Sequence, residues 1–111
     1  MPALEKKSFN QPEQAQKYEK GKAEFVSAGG ITFERITTEP GWQWSKHVKP
    51  LAKTESCQKS HILYMISGRL HVRMDDGKEE EFGPGDIAVI PPGHDNWTVG
   101  DKAAVVLDIT H

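Results

Sequence analysis

Ile87 to Ile90 is a run of four apolar residues fenced by Gly83-Pro84-Gly85-Asp86 on one side and Pro91-Pro92-Gly93 on the other. Proline lacks the N–H that a helix interior or a central strand needs, and glycine loses the most freedom on ordering, so neither fence continues a regular element. Four residues between two such turns make a short apolar strand. The same punctuation recurs along most of the chain. Gly29-Gly30, Pro40-Gly41, Ser67-Gly68 and Asp75-Asp76-Gly77 separate segments that alternate or run apolar. Eight or more short strands parted in this way make a sandwich or a small barrel.

Ile31 to Arg35 alternates apolar and polar residues, as a half-buried strand does. Trp42 to Val48 alternates as well and reads as a strand, followed by a polar loop from Val48 to Glu55 around Pro50. His61 to Met74 carries the strongest β-signal. Ile62 to Ile66 is nearly continuous apolar sequence, and Leu70, Val72 and Met74 resume with period two. His61 shares the parity of Leu63 and Met65, whereas Tyr64 points the other way and His71 opposes Leu70 and Val72. The Asp76-Gly77 pair suits a type I′ hairpin turn. Ala104 to Ile109 closes the barrel with a last alternating strand. The first twenty residues are polar. Asn10, Pro12 and Glu13 suit the start of a short helix that Gly21 would end, and an irregular arm across the barrel suits the same weak pattern. The domain division is therefore an arm over 1–22 and a barrel over 23–111.

Apolar residues make up 36% of the 111-residue chain and charged residues 27%, with a formal net charge of -2, which is the balance of one folded domain. No basic stretch offers a footprint for nucleic acid, and no apolar run approaches the ~20 residues that cross a bilayer. Lys6 and Lys7 are followed by no apolar segment, so the N-terminus is not a secretory signal. Cys57 is the single cysteine, which excludes an internal disulfide. Together these features point to the cytoplasm.

The segment from Gly85 to Gly93, with its five-residue interval before Pro91-Pro92-Gly93, resembles the second motif of the cupins, and Tyr64 to Leu70 resembles the end of their first. The two motifs and their spacer span about Gly41 to Trp97. The "GWQWSKHVKP", "SCQ" and "PPGHDNW" segments are similar to those of small stand-alone cupins, mostly of uncharacterised function. The resemblance implies an all-β, double-stranded β-helix (jelly-roll) barrel with a short irregular or helical N-terminal arm. It also implies a homodimer, to which open sheet edges and the polar arm contribute.

The cupin metal site draws on a His-x-His pair, a glutamate and a later histidine. Counting from Gly68, the family spacing places the glutamate position on His61 and the paired positions on Glu55 and Cys57. Counting from Gly93 places the last histidine position on Asn96, with His94 two residues early but of the same strand parity. None of the four ligands is matched in kind. Two ligand sets follow. In one, His47, His61 and His94 converge at the barrel mouth; three imidazoles suit zinc, iron, nickel or copper, with water in an open position. In the other, Glu55, Cys57 and His61 supply oxygen, sulfur and nitrogen, with His94 as a fourth. Trp44, Cys57, Gln58, Asn96 and Trp97 are candidate ligand-pocket residues, the indoles as stacking surfaces and Gln58 as a hydrogen-bonding group. Two functions are thereby expected. One is a barrel that binds a small molecule with a divalent transition metal, and the other is a metal-free binding or sensor barrel. The reaction and the substrate are not specified by these residues.

Overall fold

The computed structural model describes residues 3–110, and of Thr110 the backbone alone. The described chain is nine strands and two one-turn helices. In order these are β1 (Gln14–Tyr18), β2 (Gly21–Ala28), β3 (Ile31–Thr38), α1 (Trp44–His47), α2 (Lys49–Ala52), β4 (His61–Ser67), β5 (Leu70–Met74), β6 (Glu79–Phe82), β7 (Ile87–Ile90), β8 (His94–Thr98) and β9 (Ala104–Thr110). They form a six-stranded sheet in the order β1-β2-β3-β9-β4-β7 and a three-stranded sheet in the order β6-β5-β8. All pairings are antiparallel, and the two sheets face each other as an all-β jelly-roll barrel.

The core lies between the sheets and is built by alternation. On β4, Leu63 and Met65 face inward while Ile62, Tyr64 and Ile66 face out; on β7, Ala88 and Ile90 face inward while Ile87 and Val89 face out. Trp42, Trp44, Leu70, Val72, Ala104 and Val106 complete the cluster around Met65, which is fully buried. His61 continues the inward row of β4 at the end that opens into the cavity.

Three local expectations are corrected. Gln14 to Tyr18 is a strand rather than a helix or an irregular arm, paired with β2 from Gln14↔Phe25 to Tyr18↔Gly21. Its backbone groups are satisfied by the edge of the sheet, so its weak apolar periodicity decides nothing. Gly21 is not a helix stop. A Cβ there would lie 2.5 Å from the Tyr18 ring, which occupies that space. Trp42 to Val48 is not a strand either. Gln43 makes a single bridge to Trp97 and the chain then turns into α1. Asp95 on β8 causes the turn: its carboxylate accepts a hydrogen bond from the Ser45 N–H at 3.0 Å and another from Gln43 Nε2 at 2.8 Å. A capping carboxylate from a distant strand thus overrides the β-propensity of the segment. Finally, the turn after β5 is not type I′. Of its residues only Gly77 has a positive φ, 94°, and its N–H donates to the Met74 carbonyl at 2.9 Å, as in a type I turn closed by a left-handed glycine.

Candidate functional site

The concave face of the large sheet, the helical segment and β8 enclose a cavity of about 1020 Å³. Its wall is apolar near Trp42, Trp44 and Leu63 and polar where β4, β8 and β9 converge. At that convergence Cys57, His61 and His94 offer ligand atoms that all lie within 4.8 Å of one another.

Each of these residues is placed by backbone pairing. Cys57 lies in an isolated antiparallel bridge with His94: the Cys57 N–H donates to the His94 carbonyl at 2.7 Å, and the Gly93 N–H donates to the Cys57 carbonyl at 2.7 Å. Residues directly opposite in such a pair project their side chains to the same face. His94 begins β8, behind the Pro91-Pro92-Gly93 turn, and is 1% exposed. His61 opens β4, and the two imidazole rings meet edge to face with centroids 5.3 Å apart.

Both rings are held by Nδ1. His61 Nδ1–H donates to Asp108 Oδ2 at 2.8 Å, and His94 Nδ1–H donates to the Pro91 carbonyl at 2.9 Å. His61 Nε2 is left 3.8 Å from Cys57 Sγ. Burial alone pushes the Cys57 thiol up, but hydrogen bonds from His61 and His94 outweigh it and bring the thiol down to about 6. Burial pushes His61 down, and its bonds to Asp108 and Cys57 outweigh that and raise it to about 9. The metal-free pair therefore favours a thiolate beside an imidazolium.

A second group of ionisable residues lies on the sheet side of the cavity. Glu34 on β3 sits directly opposite Asp108 on β9. Burial, reinforced by the Asp108 charge, raises the Glu34 carboxyl above its ordinary value. Burial, then the charge of Glu34, pushes the Tyr18 hydroxyl up to about 12.

The set His47, His61, His94 does not assemble. His47 lines the cavity, but its Nδ1 accepts from the Gln43 N–H at 3.1 Å and its Nε2 faces Glu19 at 3.6 Å, because α1 turns the ring toward the first hairpin. The second set assembles in three of its four members. Glu55 is exposed and paired with Lys49 at 3.0 Å, outside the cluster. Among the expected pocket residues, Trp44, Cys57, Gln58 and Asn96 line the cavity. Gln58 is turned back on its own segment, donating to Ser56 Oγ at 3.0 Å. Trp97 is not in the lining. It has the outward parity of β8 and stacks on His71, with ring centroids 4.7 Å apart, so His71 is covered rather than freely solvated. Asp108 was missed by sequence reasoning. Its signal was a carboxylate at the parity of Ala104 and Val106 in an otherwise apolar strand, and it is 6% exposed.

A three-ligand S, N, N set fits a divalent transition ion. Tetrahedral ligand atoms at bonds of about 2.0–2.3 Å stand roughly 3.3–3.8 Å apart, a separation that Cys57 Sγ and His61 Nε2 already have at 3.8 Å. Among the described residues no helix is long and apolar enough to cross a membrane.

The Cupin domain model matches residues 50–110, and no functionally curated protein matches the chain. Solved structures share the fold at low identity. A protein of unknown function from Rhizobium leguminosarum bv. viciae is 20% identical with a TM-score of 0.63, over 98% of this chain and 97% of that one. The polyketide cyclase RemF from Streptomyces resistomycificus is 16% identical with a TM-score of 0.67, over 96% of this chain and 78% of its own. Oxalate decarboxylase from Lactobacillus farciminis is 21% identical with a TM-score of 0.61, over 86% of this chain but 30% of the enzyme. With the motif-bearing half of the chain matched and the jelly roll in place, the chain belongs to the cupin family.

Proposed function

We propose that this cupin binds a divalent transition metal through Cys57 Sγ, His61 Nε2 and His94 Nε2, and a small molecule beside it in the cavity. One observation carries the reading. Both imidazoles are tethered through Nδ1–H, by Asp108 and by the Pro91 carbonyl, which leaves both Nε2 atoms as the ligating nitrogens beside the thiol. A carboxylate behind a ligating histidine is the arrangement that orients the ring and raises its basicity. Sulfur and nitrogen donors favour zinc, iron, nickel or copper over magnesium or calcium. An ion held by three protein ligands keeps a position open for water or for a chelating small molecule, and acts there as a Lewis acid. The chain's own contribution is to fix the three donors, to line the cavity beside them with Trp42, Trp44 and Leu63, and to hold the Nδ1 proton of His61 against Asp108.

The metal-free binding barrel remains the second reading. It draws on the Cys57–His61 contact, which satisfies both groups without an ion. Elemental analysis of tag-free protein purified without added metal separates the two. The metal reading expects one ion per chain, lost in both His61→Ala and His94→Ala. It is abandoned if no ion is retained after incubation with zinc, iron, nickel and copper in turn, and the metal-free barrel then stands.

A further inference from the structure

Among the described residues, two buried side-chain polar atoms have no hydrogen-bond partner, Trp42 Nε1 and Asn96 Oδ1. Both residues line the cavity, and Trp42 is 5% exposed. The first atom is a donor that cannot accept, and the second an acceptor that cannot donate. A folded interior leaves few such groups unpaired, because each has given up its bonds to water.

Strand register sets the two on one wall. The Gln43–Trp97 bridge puts Trp42 across from Thr98, whose N–H donates to the Trp42 carbonyl at 3.0 Å. Trp97 has the outward parity, so Asn96 and Thr98 face inward on β8, and Trp42 faces inward with them. Trp42 and Asn96 are therefore diagonal neighbours, about 7–8 Å apart along the backbone. The hydroxyls of Thr98 and Thr38 are already bonded to each other at 2.9 Å. The other surroundings are apolar: Val72 lies opposite Asn96, Leu70 lies opposite Thr98, and Trp44 packs in the same cluster. An ionised group placed here would leave water with no opposite charge among these neighbours.

We propose that Trp42 Nε1–H and Asn96 Oδ1 are the selecting pair of the cavity and take an uncharged small molecule by a carboxamide or lactam edge. The ligand carbonyl accepts from the indole, and the ligand N–H donates to the asparagine. An amide carries its acceptor and donor on neighbouring atoms, has no charge to desolvate, and complements both orphaned atoms at once. A carboxylate answers the indole but leaves the Asn96 oxygen facing a second acceptor. A hydrocarbon answers neither. The proposal rests on the small-molecule half of the reading above and not on the ion.

Benzamide, benzoate and toluene are the probes, titrated into nitrogen-15-labelled full chain. The Trp42 indole N–H signal, one of three, is identified by its loss in Trp42→Phe. Benzamide should bind at about millimolar concentration and move that signal downfield, with benzoate at least about 10-fold weaker. Asn96→Leu and Trp42→Phe should each weaken benzamide by about 3–10-fold, the share of one hydrogen bond, and leave toluene unchanged or tighter. Asn96→Leu removes an unpaired acceptor and should unfold no earlier than the wild type, so it carries the test alone if Trp42→Phe does not fold. The proposal is overturned if benzamide does not bind at about 10 mM, if benzoate binds as well, or if the variants change benzamide and toluene alike, as they would were ordered water alone to serve the pair. Titrations with and without equimolar zinc keep the two readings apart. A chain that binds no ion can still show the amide preference, and a chain without that preference can still bind the ion.

Discussion

Asp108→Asn isolates what the carboxylate does for His61. The substitution preserves the size of the side chain and a carbonyl oxygen that can still accept from Nδ1–H, so the ring keeps its orientation and loses the charge behind it. The native bond is 2.8 Å long, within the range of charge-assisted contacts, and its acceptor is 6% exposed, so water screens it little. Hydrogen bonds to charged groups contribute about 1.5–3 kcal/mol net. Loss of a group that supports a metal-ligating histidine costs roughly 10–100-fold in affinity, or about 1.4–2.8 kcal/mol. The two ranges overlap, and Asp108→Asn is expected to weaken zinc binding by that factor in a chelator competition. A second readout needs no metal. With the Asp108 charge gone, one of the two groups that raise His61 against burial is lost, and its titration should fall below about 9, as followed by NMR of the imidazole protons. Glu34→Gln is the control, since Glu34 lies opposite Asp108 but makes no bond to His61. If Asp108→Asn leaves both zinc affinity and the His61 titration where they were, or if Glu34→Gln reproduces both changes, the carboxylate does not act through Nδ1 and the reasoning fails.

Two further outcomes rest on single side chains. Gly68 has φ +73°, and a Cβ there would overlap the Ala103 carbonyl and lie 2.6 Å from Ala104 Cα, so Gly68→Ala combines a left-handed cost of about 1–2 kcal/mol with a forced backbone shift; a loss of at least about 2 kcal/mol is expected in urea unfolding, and under about 1 kcal/mol would contradict the close approach. Tyr18 is raised from 10 to about 12, first by burial and then by Glu34; a hydroxyl whose folded value exceeds its unfolded one keeps its contribution below pH 10 and loses it as pH climbs toward 12. Tyr18→Phe should therefore flatten the fall in stability over that alkaline window and remove the late step from the ultraviolet phenolate titration, and a titration with no late step in the wild type would refute the burial argument.

The strands were legible because their limits are local. Gly83 to Asp86 and Pro91 to Gly93 stop a strand by their own backbone chemistry, whatever surrounds them, and parity along β4 correctly separated His61, Leu63 and Met65 from Tyr64. The helical turn at Trp44 was not legible, since its cause is the Asp95 carboxylate, 50 residues away from the Ser45 N–H it accepts. Trp97 failed for a different reason. Its size marked it for a pocket, but alternation along β8 already sets it on the face opposite Asn96, and the pairing with β5 adds that its neighbour there is His71.

The metal-ligand pattern of the site follows from the same distinction between local and paired information. Motif spacing placed the histidine position of β8 on Asn96, which is opposite Val72 on β5 and two residues deeper in the sheet than His94. Two residues of strand amount to about 6.8 Å, too far for one ion to be shared with the same partners. His94 can nevertheless join His61, because the residue facing it across the mouth is Cys57, fixed there by the bridge between them. His94 and Cys57 are therefore one spatial pair in the fold, although they lie in separate motifs of the sequence. A ligand set built on His94 in place of Asn96 needs a partner at the rim, and the bridge puts Cys57 there. A pattern matched residue by residue registers two mismatches where the fold makes one compensated pair.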